Sequence, residues 1–327
     1  CLARGATRAT LFGHFADLAV GDVLLFEELL GPTTGAAGDA NPSHRHVVRL
    51  TEVHHTEVVP ITGPAPLADP LNGNQITEVA WAEEDALPFP LCISSVTDED
   101  HGSLFLDKVS VARGNVLLVD HGETIAAESL GTVPSSKLLR VPAFVGDRCE
   151  PLLPLSVPAR FSPQLTNRPL TQAGKIWRTT FNAGQTTREL VSFDSSAPAV
   201  QAMRWSMDDV QPQIELTATL GSDVTLWTPK RNLLNSSAGA DEFVAEVDDD
   251  GRTALRFGDD VNGHRPEQHT AFIADYRVGS GSAGNVGAES ITHIVTAEDG
   301  IELVRNPLPA HGGVEPETSE AVRRRAP

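Results

Sequence analysis

Phe243-Val244-Ala245-Glu246-Val247-Asp248-Asp249-Asp250-Gly251-Arg252-Thr253-Ala254-Leu255-Arg256-Phe257 reads as two short strands joined by an Asp-Gly turn. The same texture recurs along the chain. Candidate strands fall at 47–53, 76–82, 91–96, 104–111 and 116–119, and again at 176–181, 213–219, 271–278 and 291–295. They are short, rich in Val, Ile, Thr and Phe, and bounded by Gly, Pro, Asn or Asp, the residues that end strands. Helical signal is confined to 197–207 and to 317–325, where acids open the segment and arginines close it, the order that a helix dipole favours. The expectation is a mainly β, multidomain fold: short antiparallel strands in several β-rich modules, with few helices.

A chain of 327 residues buries enough surface to fold without staples, and 40% hydrophobic with 21% charged residues is a globular balance. No apolar run approaches the length of a membrane-spanning helix. Cys1, Cys92 and Cys149 are odd in number and widely spaced, which argues against a disulfide framework or a zinc ribbon and for reduced thiols in a cytosolic product. The opening Cys1-Leu2-Ala3-Arg4 has neither an initiator Met nor a signal pattern and reads as the start of an excised fragment.

Net charge is −19, which disfavours a nucleic-acid binder. Residues 1–130 carry 19 acids and 6 bases, 131–235 carry 8 and 11, and 236–327 carry 17 and 8. A weakly basic middle between acidic ends suggests separate domains and charge-complementary contacts between copies or partners.

Breaks in composition divide the chain into an acidic β-rich domain at 1–131, a connector at 132–172, a middle β-rich domain at 173–235, a further β-rich domain at 236–305, and the start of a truncated domain at 306–327. The connector holds Pro134, Pro142, Pro151, Pro154, Pro158, Pro163 and Pro169, which interrupt any ladder. Gly21-Asp22-Val23-Leu24-Leu25 and Gly114-Asn115-Val116-Leu117-Leu118 echo each other, too briefly to count as a repeat.

Several clusters invite a chemical reading. Gly279 through Gly284 matches a dinucleotide-loop pattern, but a second strand-like run follows where a helix is required, so a glycine-rich loop is the reading. Glu246-Val247-Asp248-Asp249-Asp250-Gly251 resembles the start of a calcium loop, but position twelve is Phe257 rather than Glu; a turn is preferred, with Asp259-Asp260 nearby. His44, His46, His54 and His55 cluster without a placed further ligand. Asp120-His121 and Ala127-Glu128-Ser129-Leu130-Gly131 lack the nucleophile-elbow pattern. Glu83-Glu84-Asp85 reads as a solvated acidic loop. No residue is assigned a catalytic, cofactor-binding or metal role, and no cofactor is expected.

The order of motifs carries a resemblance. Asp249-Asp250-Gly251-Arg252-Thr253-Ala254-Leu255-Arg256-Phe257-Gly258-Asp259 is followed by Gly263-His264-Arg265-Pro266, Tyr276-Arg277-Val278-Gly279, Gly284-Asn285-Val286 and Asn306-Pro307-Leu308-Pro309-Ala310-His311-Gly312-Gly313. With Arg45-His46-Val47-Val48-Arg49-Leu50, the run Glu84 to Leu91, and Ala112 to Leu117, nearly the whole chain resembles the baseplate J-like family of contractile phage tails and related injection particles. Asp260 departs from the pattern, since family members often carry glycine there. The resemblance implies a structural wedge component, assembled in the cytoplasm, that contacts its own copies, a second wedge protein, the hub or spike and the sheath. Alternatives are a carbohydrate- or receptor-binding β protein at the particle tip, against which 4 Trp and 1 Tyr count, and a glycan hydrolase built on paired carboxylates.

Overall fold

The computed structural model describes residues 1–327 apart from 60–62, 140–154, 183–184, 192, 203, 205, 280, 296–298 and 326–327. Strands hold 37% of the residues and helices 8%, in several antiparallel sheets, so the chain is mainly β as its sequence texture predicts. It groups into two compact units, Cys1–Val119 with Lys175–Ser206, and Asp120–Gly174 with Met207–Pro327.

In the first unit, β1 (Arg8–Phe12), β2 (Val23–Glu28), β3 (Arg45–His54), β4 (Ile76–Trp81) and β5 (Ser110–Arg113) form an antiparallel sheet in the order β1-β4-β3-β2-β5. Strand β2 is apolar at both parities, and five of its six residues are buried. One face lays Leu24 and Phe26 against Val48, Leu50, Val79, Trp81, Leu87 and Leu91. The other buries Leu25 and Glu27. An isolated carboxylate is too costly to bury, and Glu27 is paired on both sides, with Arg45 opposite on β3 at 3.8 Å and with Arg113 on β5. The same unit holds a hairpin, Ile176–Asn182 with Gln185–Val191, and a one-turn helix α1 (Ala199–Ala202).

In the second unit, β6 (Glu123–Thr132), β7 (Ile214–Leu220), β8 (Asp223–Pro229), β9 (Glu242–Val247), β10 (Thr253–Phe257) and β11 (Ala271–Val278) lie in the order β6-β11-β7-β8-β9-β10. Pairing is antiparallel except for a short parallel contact of Thr228–Pro229 with Glu242–Phe243. Alternate residues turn inward, so Leu216, Ala218, Trp227, Phe243, Leu255, Phe257, Phe272, Ala274 and Tyr276 make one core. Its rings pack edge-on and offset: Trp227 to Phe257 at 5.2 Å and Phe257 to Phe272 at 5.0 Å between centroids.

From Phe161 to Leu170 the proline-rich stretch packs into this core. Phe161 stacks on Phe257 and Phe272, Leu165 and Leu170 are buried, and Leu255 N–H donates to Pro163 O at 2.8 Å. Prolines fit because the segment is an edge that donates few ladder bonds. Pro142, Pro151 and Pro154 lie outside the described residues.

The Asp-Gly hairpin forms as expected, with Val247 opposite Thr253 and Gly251 at φ +77°. Two expected strands do not form: 116–119 and 291–295 are irregular. Leu117, Leu118 and Val119 are exposed there, so the apolar run has a strand's composition without a neighbour to pair with. Its echo of Val23–Glu28 is therefore not a structural repeat. Of 91–96 only Ser95–Val96 is a strand, and the expected helix at 197–207 reduces to α1 and a 3-10 turn at Met207–Asp209. The terminal helix α2 (Ser319–Arg325) forms.

Candidate functional site

The side chains singled out in the sequence are mostly occupied with holding backbone. His44 Nδ1 lies 2.7 Å from the buried Glu28 carboxylate, and its ring stacks on Phe89. His46 Nε2 lies 2.9 Å from the Asp85 carbonyl. His54 stands beside Glu52 at 3.8 Å, and His55 meets His14 edge to face. The four histidines thus serve separate contacts. Among the described residues no group of three His, Cys, Asp or Glu is gathered as a metal would need.

Asp248 accepts N–H bonds from Asp250 and Arg252 at 3.0 and 2.8 Å, closing the hairpin turn. Asp259 accepts from Val261 and Asn262, and those donors hold its carboxyl below the usual carboxylate range. Next to it, Asp260 stands at φ +71° and accepts the Arg265 N–H at 2.9 Å. A left-handed residue here explains why glycine suits this position, and Asp tolerates it better than a branched side chain does. Gly258 and Gly263 cross so closely that a Cβ on Gly258 would lie 2.1 Å from the Gly263 carbonyl. His264 closes the loop, 2.7 Å from Asp241 and stacked on Trp227.

The glycine-rich loop is likewise a backbone crossing. A Cβ on Gly281 would sit 2.2 Å from the Val314 carbonyl oxygen, and one on Gly313 would overlap Gly281. Asn285 exchanges hydrogen bonds with Gly313 at 2.8 and 2.9 Å, and Val286 and Ala310 exchange both backbone bonds. Ser282 donates to Glu315, which lowers the Glu315 carboxyl below its ordinary range. Asn306 caps the same pairing through Gly287 O and Ile291 N. Ser280 lies outside the described residues.

Asp120 pairs with Arg277 at 2.9 Å, and His121 packs under Gly279 and Gly284. Glu128 faces inward because β6 carries a bulge between Ile125 and Glu128, with Ala127 at φ +53° and its N–H bonded to Asp275. There Glu128 accepts from the Tyr276 hydroxyl and from Thr166. Burial first, and then Glu128, push the Tyr276 phenol above its ordinary range.

Two surfaces of the second unit, among its described residues, are candidates for contact with other molecules. On the outer face of the second unit's sheet, Ser129, Ile273, Thr217 and Leu226 form one row across four strands, and Thr132, Ala271, Thr219 and Val224 form the next. Leu226 is 71% exposed, Val224 64% and Ile273 40%. Glu215 and Asp275 border this patch opposite each other, and Asp223 lies at the end of β8. The other is an open depression of about 370 Å³ lined by Asp208, Lys230, Arg231, Asn232, Ser236 and Glu242; Lys230 and Glu242 pair across it at 3.2 Å.

No protein family, curated protein or solved structure matches the chain.

Sequence reading missed Asp85. It belongs to the run read as a solvated acidic loop, and Glu83 and Glu84 are exposed, but Asp85 is fully buried. It accepts N–H bonds from Arg49, Ala199 and Val200 at 2.8–2.9 Å. The sequence carries no signal for this, because two of the donors lie more than a hundred residues away. The outer apolar rows were missed for a related reason: Thr-rich alternation marks strands but not which face stays open.

Proposed function

We propose that this chain is a structural wedge protein of a contractile-tail baseplate, in a phage or a phage-tail-like injection particle, and that it works through protein–protein contacts. The observation that carries the reading is where the resemblance motifs sit. The Asp-Gly hairpin, the loop from Gly258 to His264, β11, the glycine-rich loop and the segment around Asn306–Gly313 are consecutive parts of one unit, and their glycines and acids serve backbone crossings and turns. A motif set spent on shape rather than on a reacting cluster suits a protein whose function lies in its surfaces.

The outer rows around Leu226, Val224 and Ile273 are the contact surface this reading favours. An apolar centre with acidic edges fits a partner with an apolar centre and basic edges. Its partners on this reading are further copies of the chain, a second wedge protein, the hub or spike and the sheath; assembly is in the cytoplasm and no cofactor takes part.

Negative-stain electron microscopy of particles from cells lacking the gene, beside wild type, tests the proposal. The expected result is unattached tubes, stray sheaths or no particles. Complete particles that fail to attach or penetrate would overturn it and move the tip-binding reading forward.

A further inference from the structure

The structure brings together two thiols that lie 91 positions apart in the sequence. The opening segment runs antiparallel to the segment after β4. Leu2 N–H donates to Leu91 O at 2.8 Å and Leu91 N–H donates to Leu2 O at 2.9 Å; four residues on, Leu87 N–H donates to Ala6 O. In such a ladder the positions flanking a doubly bonded pair face each other without bonds of their own, where side chains stand closest. Cys1 and Cys92 occupy that position. Their Sγ atoms are 3.1 Å apart, and both thiols are free. A disulfide needs sulfurs about 2.05 Å apart, so bond formation shortens the separation by about 1 Å. Cys1 is exposed and Cys92 half-buried, so a reagent reaches Cys1 first.

We propose that Cys1 and Cys92 form a reversible intramolecular disulfide by exchange with a low-molecular-weight disulfide of the glutathione class. The Cys1 thiolate attacks one sulfur of the reagent and expels one thiolate, leaving a mixed disulfide on Cys1. The Cys92 thiolate then attacks Cys1 Sγ and expels the second. The cysteine pair loses two electrons and two protons, and the reagent takes them up as two thiols. The pair stays open in a reducing cytosol and closes in an oxidising medium. Closure pins the opening segment to Leu91, which belongs to the core of the first unit, and restrains the unfolded chain across a long loop.

The test treats the purified full chain with oxidised glutathione, quenches with N-ethylmaleimide and measures intact mass and a tryptic map without reductant. The expected product has lost two hydrogens, takes up a single maleimide at Cys149, and yields a peptide joining the fragment that ends at Arg4 to residues 50–108, separated by dithiothreitol. Its melting midpoint rises by several degrees on oxidation, and Cys92→Ser abolishes that rise while Cys1 ends as a glutathione adduct. Retention of maleimide or glutathione on both Cys1 and Cys92, or a linked peptide that contains Cys149, overturns the proposal.

Discussion

Asp85 accepts three backbone N–H bonds at zero exposure, two of them from the first turn of α1. It accepts the first N–H groups of α1 and ties them to β3 through Arg49. Asp85→Ala leaves those donors without a partner, at a cost of about 3 kcal/mol. Urea unfolding should show that loss, and limited trypsin digestion should cut faster at Arg178 and Arg188; unchanged cleavage there would refute the clamp. Tyr276 is the corresponding residue in the second unit, where its hydroxyl joins Glu128 to Asn167. Tyr276→Phe should cost roughly 1–2 kcal/mol. The phenol's folded value lies above its ordinary value of about 10, so its contribution is fully present below that pH and is lost as pH rises through the folded value. Stability measured between neutral pH and strongly alkaline pH should therefore fall less steeply in Tyr276→Phe than in wild type. At Asp260, held at φ +71°, glycine should be nearly neutral, since it frees the backbone while losing the bond to Arg265. Asp260→Val should cost about 1–2 kcal/mol in the same unfolding assay.

Hairpins were legible as elements because their signal is local. Phe243–Phe257 states both strands and the turn within fifteen residues, and the structure pairs them in that register. Elements defined by a distant neighbour were not legible. The run 116–119 has a strand's composition but remains irregular, and 161–174, rich in proline, packs into the core instead. The loop from Gly258 to His264 lies between these cases: its glycines were visible, but their 2.1 Å crossing was not. Gly258→Ala forces backbone against backbone and should destabilise the second unit by about 3 kcal/mol or more. Gly239→Ala, where no atom stands within 4 Å of the added carbon, is the control and should unfold with wild type. Equal unfolding of the two variants would contradict the crossing.

For the whole molecule, the sequence disclosed the β class and the uneven charge but not that residues 175–206 fold with the first sheet, a fact carried by bonds such as Ala199 to Asp85 across 114 positions. Nor did it disclose which sheet face stays open. That face offers the sharpest separation of fold from assembly. Val224 and Leu226 are both exposed on β8, and Leu226 adjoins the buried Trp227, which faces the core. A double substitution Val224→Glu, Leu226→Glu adds charge to a surface already edged by Glu215, Asp275 and Asp223. Surface changes of this kind shift stability by only about 0.5 kcal/mol each, so the variant should unfold near wild type. Phe272→Ala, which removes a fully buried ring on β11 next to Ile273, should instead cost about 3–5 kcal/mol. On the proposed wedge role, cells that supply only the double variant should show, by electron microscopy, assembled particles reduced at least tenfold beside a normal level of soluble, folded protein. Wild-type particle numbers would mean that the outer rows are not the contact that assembly uses, and the search for it would move to the exposed run Leu117–Val119.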